Sequence, residues 1–176
     1  MRIASENVSI VQASVEDANL IAVLGAVTFY EAYVEQDEPP DLANYIVQSF
    51  NPAIIQSELE NLNSTFFLVY LNDLAVGYAK LRENNKIECI TEENAIELQR
   101  IYIIERVYGQ GVGQILLNHC LEMAKQKGYK TLWLSVWEEN SRAIRFYEKQ
   151  EFKRVGKMTF PYGSTVGTNL VMKKML

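Results

Sequence analysis

The sequence predicts an α/β (α+β) fold: a mixed, mostly antiparallel central sheet with helices on both faces. Three observations predict it. A nearly continuous apolar strand over residues 96–104 is followed by a glycine-rich loop, a helix and another strand, which is the pattern of a parallel crossover. Two runs rich in aromatic and branched residues, 65–71 and 75–81, flank a turn offered by Asn72-Asp73 and therefore read as an antiparallel hairpin. Two more strands, 152–160 and 168–173, close the chain.

Near the start of the chain, residues 8–13 read as a strand, and Ser14 ahead of Glu16 and Asp17 starts a helix that runs to about residue 33. Pro39-Pro40 breaks the chain, and short helices are expected over 42–47 and 52–62. After the hairpin and a polar stretch comes the central strand, apolar on both faces. Its alternation changes phase: Ile96 and Leu98 share one parity, Ile101 and Ile103 the other, which predicts a β-bulge near Gln99 or Arg100. The helix after the glycines repeats Val112, Ile115, Leu116, Cys120, Met123 and Ala124 at helical spacing. Lys125, Lys127 and Gly128 suit its C-terminal end. A strand over 131–137 and a short helix over 141–149 complete the unit.

At 176 residues and 48% hydrophobic, the chain is expected to form one domain, residues 1–176, with a sizeable core. No apolar run reaches the length of a membrane span and none resembles a signal peptide, so a soluble, cytoplasmic protein is expected. Cys89 and Cys120 lack metal or redox spacing, and the single histidine, His119, cannot build a histidine-rich metal site, so no metal is expected. His119 reads as an ordinary solvent-facing helix residue and Cys120 as a buried one. The net charge of −5 is uneven: residues 1–79 hold 11 acids and one base, Arg2, whereas residues 80–176 hold 11 acids and 16 bases. Direct nucleic-acid binding is disfavoured by a pI of 5.0 and the lack of a long basic stripe.

Chemistry is concentrated in Gly109-Gln110-Gly111-Val112-Gly113, between strand and helix. Alternate glycines let the backbone approach a ligand, and the following helix offers unpaired N–H groups and the positive end of its dipole, a site for phosphate or diphosphate. The Gly-Lys-Ser/Thr ending of a P-loop and the Gly-x-Gly-x-x-Gly of a dinucleotide fold are both absent. The segment from Tyr108 to Gly113 resembles the acetyl-CoA signature of the GNAT N-acetyltransferases, Gln/Arg-x-x-Gly-x-Gly/Ala. A second stretch, Asn140-Ser141-Arg142-Ala143-Ile144-Arg145-Phe146-Tyr147-Glu148-Lys149-Gln150-Glu151-Phe152, is similar to the Asn-x-x-Ala-x-x-Phe-Tyr-x-Lys-x-Gly-Phe of the same family. The resemblance covers residues 65–176 well. Tyr108, Glu105 and Glu151 depart from the usual Gln/Arg, proline and glycine.

The resemblance implies an enzyme that transfers acetyl directly from acetyl-CoA to an amine, without a covalent enzyme intermediate. The backbone of Ile101 and Ile103 would hold pantetheine, and Tyr108, Gly109, Gly111, Val112, Gly113 and Gln114 the diphosphate, with Asn140, Tyr147 and Lys149 also lining the CoA site. A protonated amine, with an ordinary pKa of about 10.4, must lose a proton before it attacks. By resemblance Glu97, 11 residues before Tyr108, is the general base, directly or through water, and Tyr147 the general acid for the leaving thiolate. A bulge on the central strand would free an N–H to polarise the acetyl carbonyl. Residues 27–33, with Tyr45-Ile46 and Ser49-Phe50-Asn51, are similar to PaiA-like polyamine acetyltransferases. With Glu31 and Glu35 as substrate anchors, spermidine or spermine becomes the leading acceptor. A protein N-terminus, a small drug or metabolite amine, and a non-catalytic acyl-CoA sensor stay open as alternatives. Homodimerisation is compatible with the family, although no residue specifies it.

Overall fold

The computed structural model describes residues 7–162 and 165–176. The chain opens with β1 (Val8–Gln12). Ser14 and Asp17 then form a capping box: Asp17 Oδ2 accepts from the Ser14 N–H at 2.8 Å, and Ser14 Oγ accepts from the Glu16 N–H at 3.3 Å. That first turn, Val15–Asp17, is 3₁₀, and α1 (Ala18–Tyr33) continues from it. The chain breaks after α1 as expected, and Pro39-Pro40 itself begins α2 (Pro39–Ser49), earlier than the helix expected over 42–47. In a first turn the missing N–H costs nothing and the fixed φ suits the helix. Asn51 caps α3 (Pro52–Glu60) by accepting from the Ala53 N–H at 2.9 Å.

The hairpin of β2 (Ser64–Leu71) and β3 (Leu74–Arg82) turns through Asn72 and Asp73, both at positive φ, as a two-residue turn that matches strand twist requires. Next come β4 (Ala95–Ile103), a 3₁₀ turn at Glu105–Val107, α4 (Val112–Gln126), β5 (Thr131–Trp137) and α5 (Ser141–Lys149). The hairpin of β6 (Lys153–Tyr162) and β7 (Thr165–Met175) ends the fold, longer than the sequence suggested.

All the strands form one seven-stranded sheet in the order β1-β2-β3-β4-β5-β7-β6. Every pairing is antiparallel except β4 with β5. Two irregularities in β4 set the geometry at the centre of the sheet. Lys80 pairs with Arg100 but Leu81 with Leu98, so Gln99 is an extra residue and the bulge falls where the phase change predicted it. The parallel pairing covers only Ala95–Glu97 against Thr131–Trp133, and beyond Glu97 the two strands separate.

Paired residues share a face, so Tyr78, Lys80, Arg82, Glu97, Arg100 and Tyr102 lie together on one side of the sheet. Helices α1 and α3 cover that side, while α4 packs on the other through the fully buried Leu116, Leu117, Cys120 and Ala124. Each such leucine contributes roughly 1.5–3 kcal/mol by leaving water. Cys120 is buried as expected. His119 is not solvent-facing: it is half-buried and meets the Phe67 ring edge-on at 4.7 Å, because its position on α4 turns it back over β2. A Cβ on Gly25 would lie 2.3 Å from the Phe50 ring, so only a glycine lets α1 press against the end of α2. No helix among the described residues is long and apolar enough to cross a membrane.

Candidate active site

The strand-to-helix loop has the shape the glycine spacing implied. Gly109 (φ +74°) and Gly111 (φ +88°) occupy the left-handed region, which an L side chain adopts only at a cost. A Cβ on either would meet no atom within 4 Å, so the backbone here is open to a ligand. A Cβ on Gly113 would touch only Ile103 Cγ1, at 3.8 Å, which seats the first turn of α4 on the end of β4. The N–H groups of that first turn have no partner within the helix by position. Arg142 lies over the Tyr108 ring at 3.6 Å and brings a guanidinium beside the loop.

The second component is the edge of β4. Past Glu97 its side toward β5 carries no ladder, so the main chain of residues 98–103 has free hydrogen-bonding capacity along a cleft between the splayed strands. Ile101 and Ile103 lie on this stretch. An open glycine cradle at one end and an unpaired strand edge leading from it suit a diphosphate joined to an extended, amide-containing arm. The residues present thus fit coenzyme A.

The third component lines the cleft where β5 diverges. Asn140 caps α5: its Oδ1 accepts from the Ala143 N–H at 3.0 Å, and its side chain also hydrogen-bonds Tyr33. Tyr33 packs on Trp137 with ring centroids 5.6 Å apart, and burial, with Tyr45 and Asp37 adding to it, pushes its phenol up to about 12. Tyr147, 8% exposed, packs against Phe146 and Phe152. Burial holds its phenol above the ordinary value, helped by Tyr33 and Cys120 nearby.

The remaining expected site residues fall in differing places. Tyr108 is half-buried and Val112 buried at the loop, and Lys149 is exposed at the end of α5. The Gln114 side chain bonds Asn118 and Gln150, tying α4 to α5, so its backbone N–H is what it offers the loop. Glu97 is buried at 5% exposure in the paired part of β4, where its Oε2 accepts from Arg82 Nε at 2.6 Å and Asn85 Nδ2 at 2.9 Å. It is about 20 Å of strand from Ile103, and no described contact joins it to Tyr147. Glu31 Oε2 accepts from the Glu105 N–H at 2.9 Å, a tie between α1 and the turn after β4, and Glu35 is exposed. Sequence reasoning missed Tyr33 and Trp137 as lining residues. It also missed a buried ion cluster of Glu58, Lys80 and Arg100 under α3. Among the described residues no group of three His, Cys, Asp or Glu side chains could hold a metal ion.

The chain is similar to known acetyltransferases in sequence and in fold. The profile of the acetyltransferase (GNAT) family matches residues 26–152. An uncharacterized N-acetyltransferase from the pepI 3′ region of Lactobacillus delbrueckii subsp. lactis is 27% identical over 169 residues, 96% of this chain and 98% of that protein. The spermine/spermidine N(1)-acetyltransferase of Bacillus subtilis is 31% identical over 94 residues, 53% of this chain and 61% of its own. In fold the chain is similar to the PaiA N-acetyltransferase of Thermoplasma acidophilum, solved in complex with coenzyme A, with a TM-score of 0.78, 21% identity, and coverage of 96% and 99% of the two chains. With the family profile spanning well over half of the sequence, this chain belongs to the acetyltransferase (GNAT) family and is an acetyl-CoA-dependent N-acetyltransferase.

Proposed function

We propose that residues 1–176 act as one catalytic unit that transfers acetyl directly to a primary amine, with a polyamine such as spermidine or spermine as the leading acceptor. One observation carries the choice of a cationic acceptor. Glu31, Glu35, Asp37, Glu38 and Asp41 follow one another with no base among them, from the end of α1 into α2, beside Tyr33 and the cleft it lines. Charge of one sign at a cleft mouth raises the local concentration of a ligand of the other. The likeness to the Bacillus polyamine enzyme points the same way. An acceptor with an apolar chain, such as a protein N-terminus, is the second reading. It is favoured by a groove of about 310 Å³ between α1 and α2, walled by Tyr30, Val34, Leu42, Ile46 and Val47 with Asp37 among them.

In this reading the N–H groups of Gly111 to Gln114 and the dipole of α4 bind the diphosphate. Tyr108, Gly109, Arg142 and Lys149 border it, and the main chain of Ile101 and Ile103 pairs with the pantetheine amides. Asn140 and Tyr147 line the thioester end. Glu97, through its second oxygen or a water, takes the proton the ammonium must lose. Tyr147 faces the leaving thiolate. An ordinary thiol titrates near 8.5 and the buried phenol above 10, so full proton transfer to sulfur is uphill. The phenol therefore acts chiefly by donating a hydrogen bond to the developing charge.

The test is turnover of acetyl-CoA across a panel of amines, repeated with Glu97→Gln and Tyr147→Phe. Polyamines should give the highest kcat/KM, and both variants should lose turnover. If coenzyme A binds but no amine accelerates thiol release, the protein is an acyl-CoA sensor instead. If both variants keep full turnover, the residue roles fail while the family assignment stands.

A further inference from the structure

Two cations face each other across β3 and β4. Lys80 and Arg100 are register partners, so their side chains leave the same face of the sheet at adjacent positions, where like charges destabilise a strand pair. Both are deep: 4% of the Lys80 side chain and 12% of the Arg100 side chain is exposed. Burial, then Arg100, pulls the Lys80 ammonium down to about 8. One carboxylate from another element reconciles them. Glu58 of α3 binds Arg100 with both oxygens, Nη1 to Oε2 at 2.5 Å and Nη2 to Oε1 at 3.0 Å, and its Oε2 also holds Lys80 Nζ at 3.0 Å. Burial raises the Glu58 carboxyl, but Arg100 and Lys80 outweigh it and hold it below its ordinary value.

This triad sits against the bulge. Arg100 is the residue immediately after it, and Lys80–Arg100 is the first register pair beyond it. The bulge lies on the stretch of β4 beyond its ladder with β5, so no β5 register pair holds its main chain there. On the β3 side the pairing skips Gln99. The Gln99 Oε1 is sealed from solvent without a hydrogen-bond partner. Besides the β3 ladder pairs that flank it, the bulge is braced through the two-pronged grip of Glu58 on Arg100.

We propose that Glu58 is a positioning residue for acetyl transfer: by clamping Lys80 and Arg100 together across the strand pair, it fixes the β4 bulge and aims a main-chain N–H at the thioester carbonyl. It touches neither thioester nor acceptor and acts through the backbone of β4. The inference rests on the proposed placement of the acetyl group at the bulge. It also makes α3 a rigid brace joined to the reacting centre rather than a passive cover.

Three variants and two readouts test it. Glu58→Gln keeps the shape but leaves two buried cations opposed. It should lower kcat on the order of 10- to 100-fold, the scale of a misaimed oxyanion donor, with a much smaller change in acetyl-CoA affinity by calorimetry. Adding Lys80→Met removes the repulsion, and the double variant Glu58→Gln/Lys80→Met should regain most of the lost kcat. Glu58→Asp, if the glutamine variant does not fold, keeps the charge but shortens the reach and should also lower kcat. The second readout is the carbonyl stretch of bound acetyl-CoA by infrared difference spectroscopy. In the unaltered protein it should lie below that of free acetyl-CoA, and Glu58→Gln should move it back toward the free value.

An unshifted carbonyl in the variant, or a kcat loss that Lys80→Met does not relieve, overturns the clamp and leaves a merely structural ion cluster. If the unaltered protein binds acetyl-CoA without any carbonyl shift, the placement of the acetyl group is wrong and the proposal falls with it. Failure to bind acetyl-CoA at all overturns the cofactor site as well.

Discussion

Replacing Tyr147 by phenylalanine removes one oxygen from the cleft and little else. The ring keeps its packing against Phe146 (5.3 Å) and Phe152 (5.7 Å), so the variant should fold and melt like the parent. On the proposed role, what is lost is a donor to the departing sulfur. A hydrogen bond to a charged group contributes about 1.5–3 kcal/mol, and each 1.36 kcal/mol is tenfold in rate, so kcat should fall roughly 10- to 150-fold. The pH behaviour sharpens the test. Burial holds the phenol above its ordinary value, so it keeps its proton from pH 6 to 10 and the ratio of parent to variant kcat should be flat across that window. Thiol release from saturating acetyl-CoA with spermidine at pH 7.5 and 9.5 measures both. A variant within twofold of the parent, or a ratio that collapses toward one between pH 8 and 9.5, refutes the role.

Gly111→Ala forces a side chain into φ +88°, a strain of about 1–2 kcal/mol, and places a Cβ where a diphosphate would approach, so calorimetry should show acetyl-CoA affinity at least ~10-fold weaker. Gly128→Ala meets no atom within 4 Å and isolates the conformational cost at φ +88°: about 1–2 kcal/mol of stability, or about 2–8 °C in Tm by calorimetric scan. His119 concerns acid stability. Burial lowers its folded pKa, so as pH falls through the unfolded value near 6.5 the unfolded chain takes up a proton that the folded protein resists, and stability drops. His119→Gln should therefore lose less Tm than the parent between pH 7 and 5. An equal loss in both would show that the imidazole is not desolvated.

Much of this architecture is written in local pattern. The bulge appeared as a change of hydrophobic phase between Leu98 and Ile101, because a single extra residue swaps the faces of everything beyond it. The glycine cradle was legible because positive φ at Gly109 and Gly111 is a property of residue type. Glu151 adopts φ +66° at the place where the family has glycine, so the departure changed the residue while the turn kept its form. What could not be read was long-range partnership. Glu58 and Arg100 lie 42 positions apart, and an α3 glutamate followed by Leu59 looks like any solvated helix acid. Tyr33 at the end of α1 meets Asn140 and Trp137, more than a hundred positions away, through tertiary packing alone. Pro39-Pro40 marked the break between α1 and α2 but not that the prolines are themselves the first turn of α2, because proline suits either side of such a boundary.

The central strand must meet two opposed demands. To leave an edge free for an extended arm, β4 has to part from β5, and a half-unpaired strand in the middle of a sheet should be the least rigid place in the fold. Rigidity is restored from its other sides. Toward β3 the approach is so close that a Cβ on Gly77 would lie 2.2 Å from the Tyr102 carbonyl oxygen, and no larger residue fits there. Below, Ile103 seats the glycine turn of α4. Above, Glu58 grips Arg100. The strand between these two fixed points, Arg100 to Ile103, has a set length of about 10 Å. On the proposed cofactor placement, diphosphate donors at one end and the bulge at the other are thus held at a constant separation, whichever amine enters. On the proposed reading, acceptor choice falls to α1, α2 and the acids between them, which can vary without disturbing that spacing.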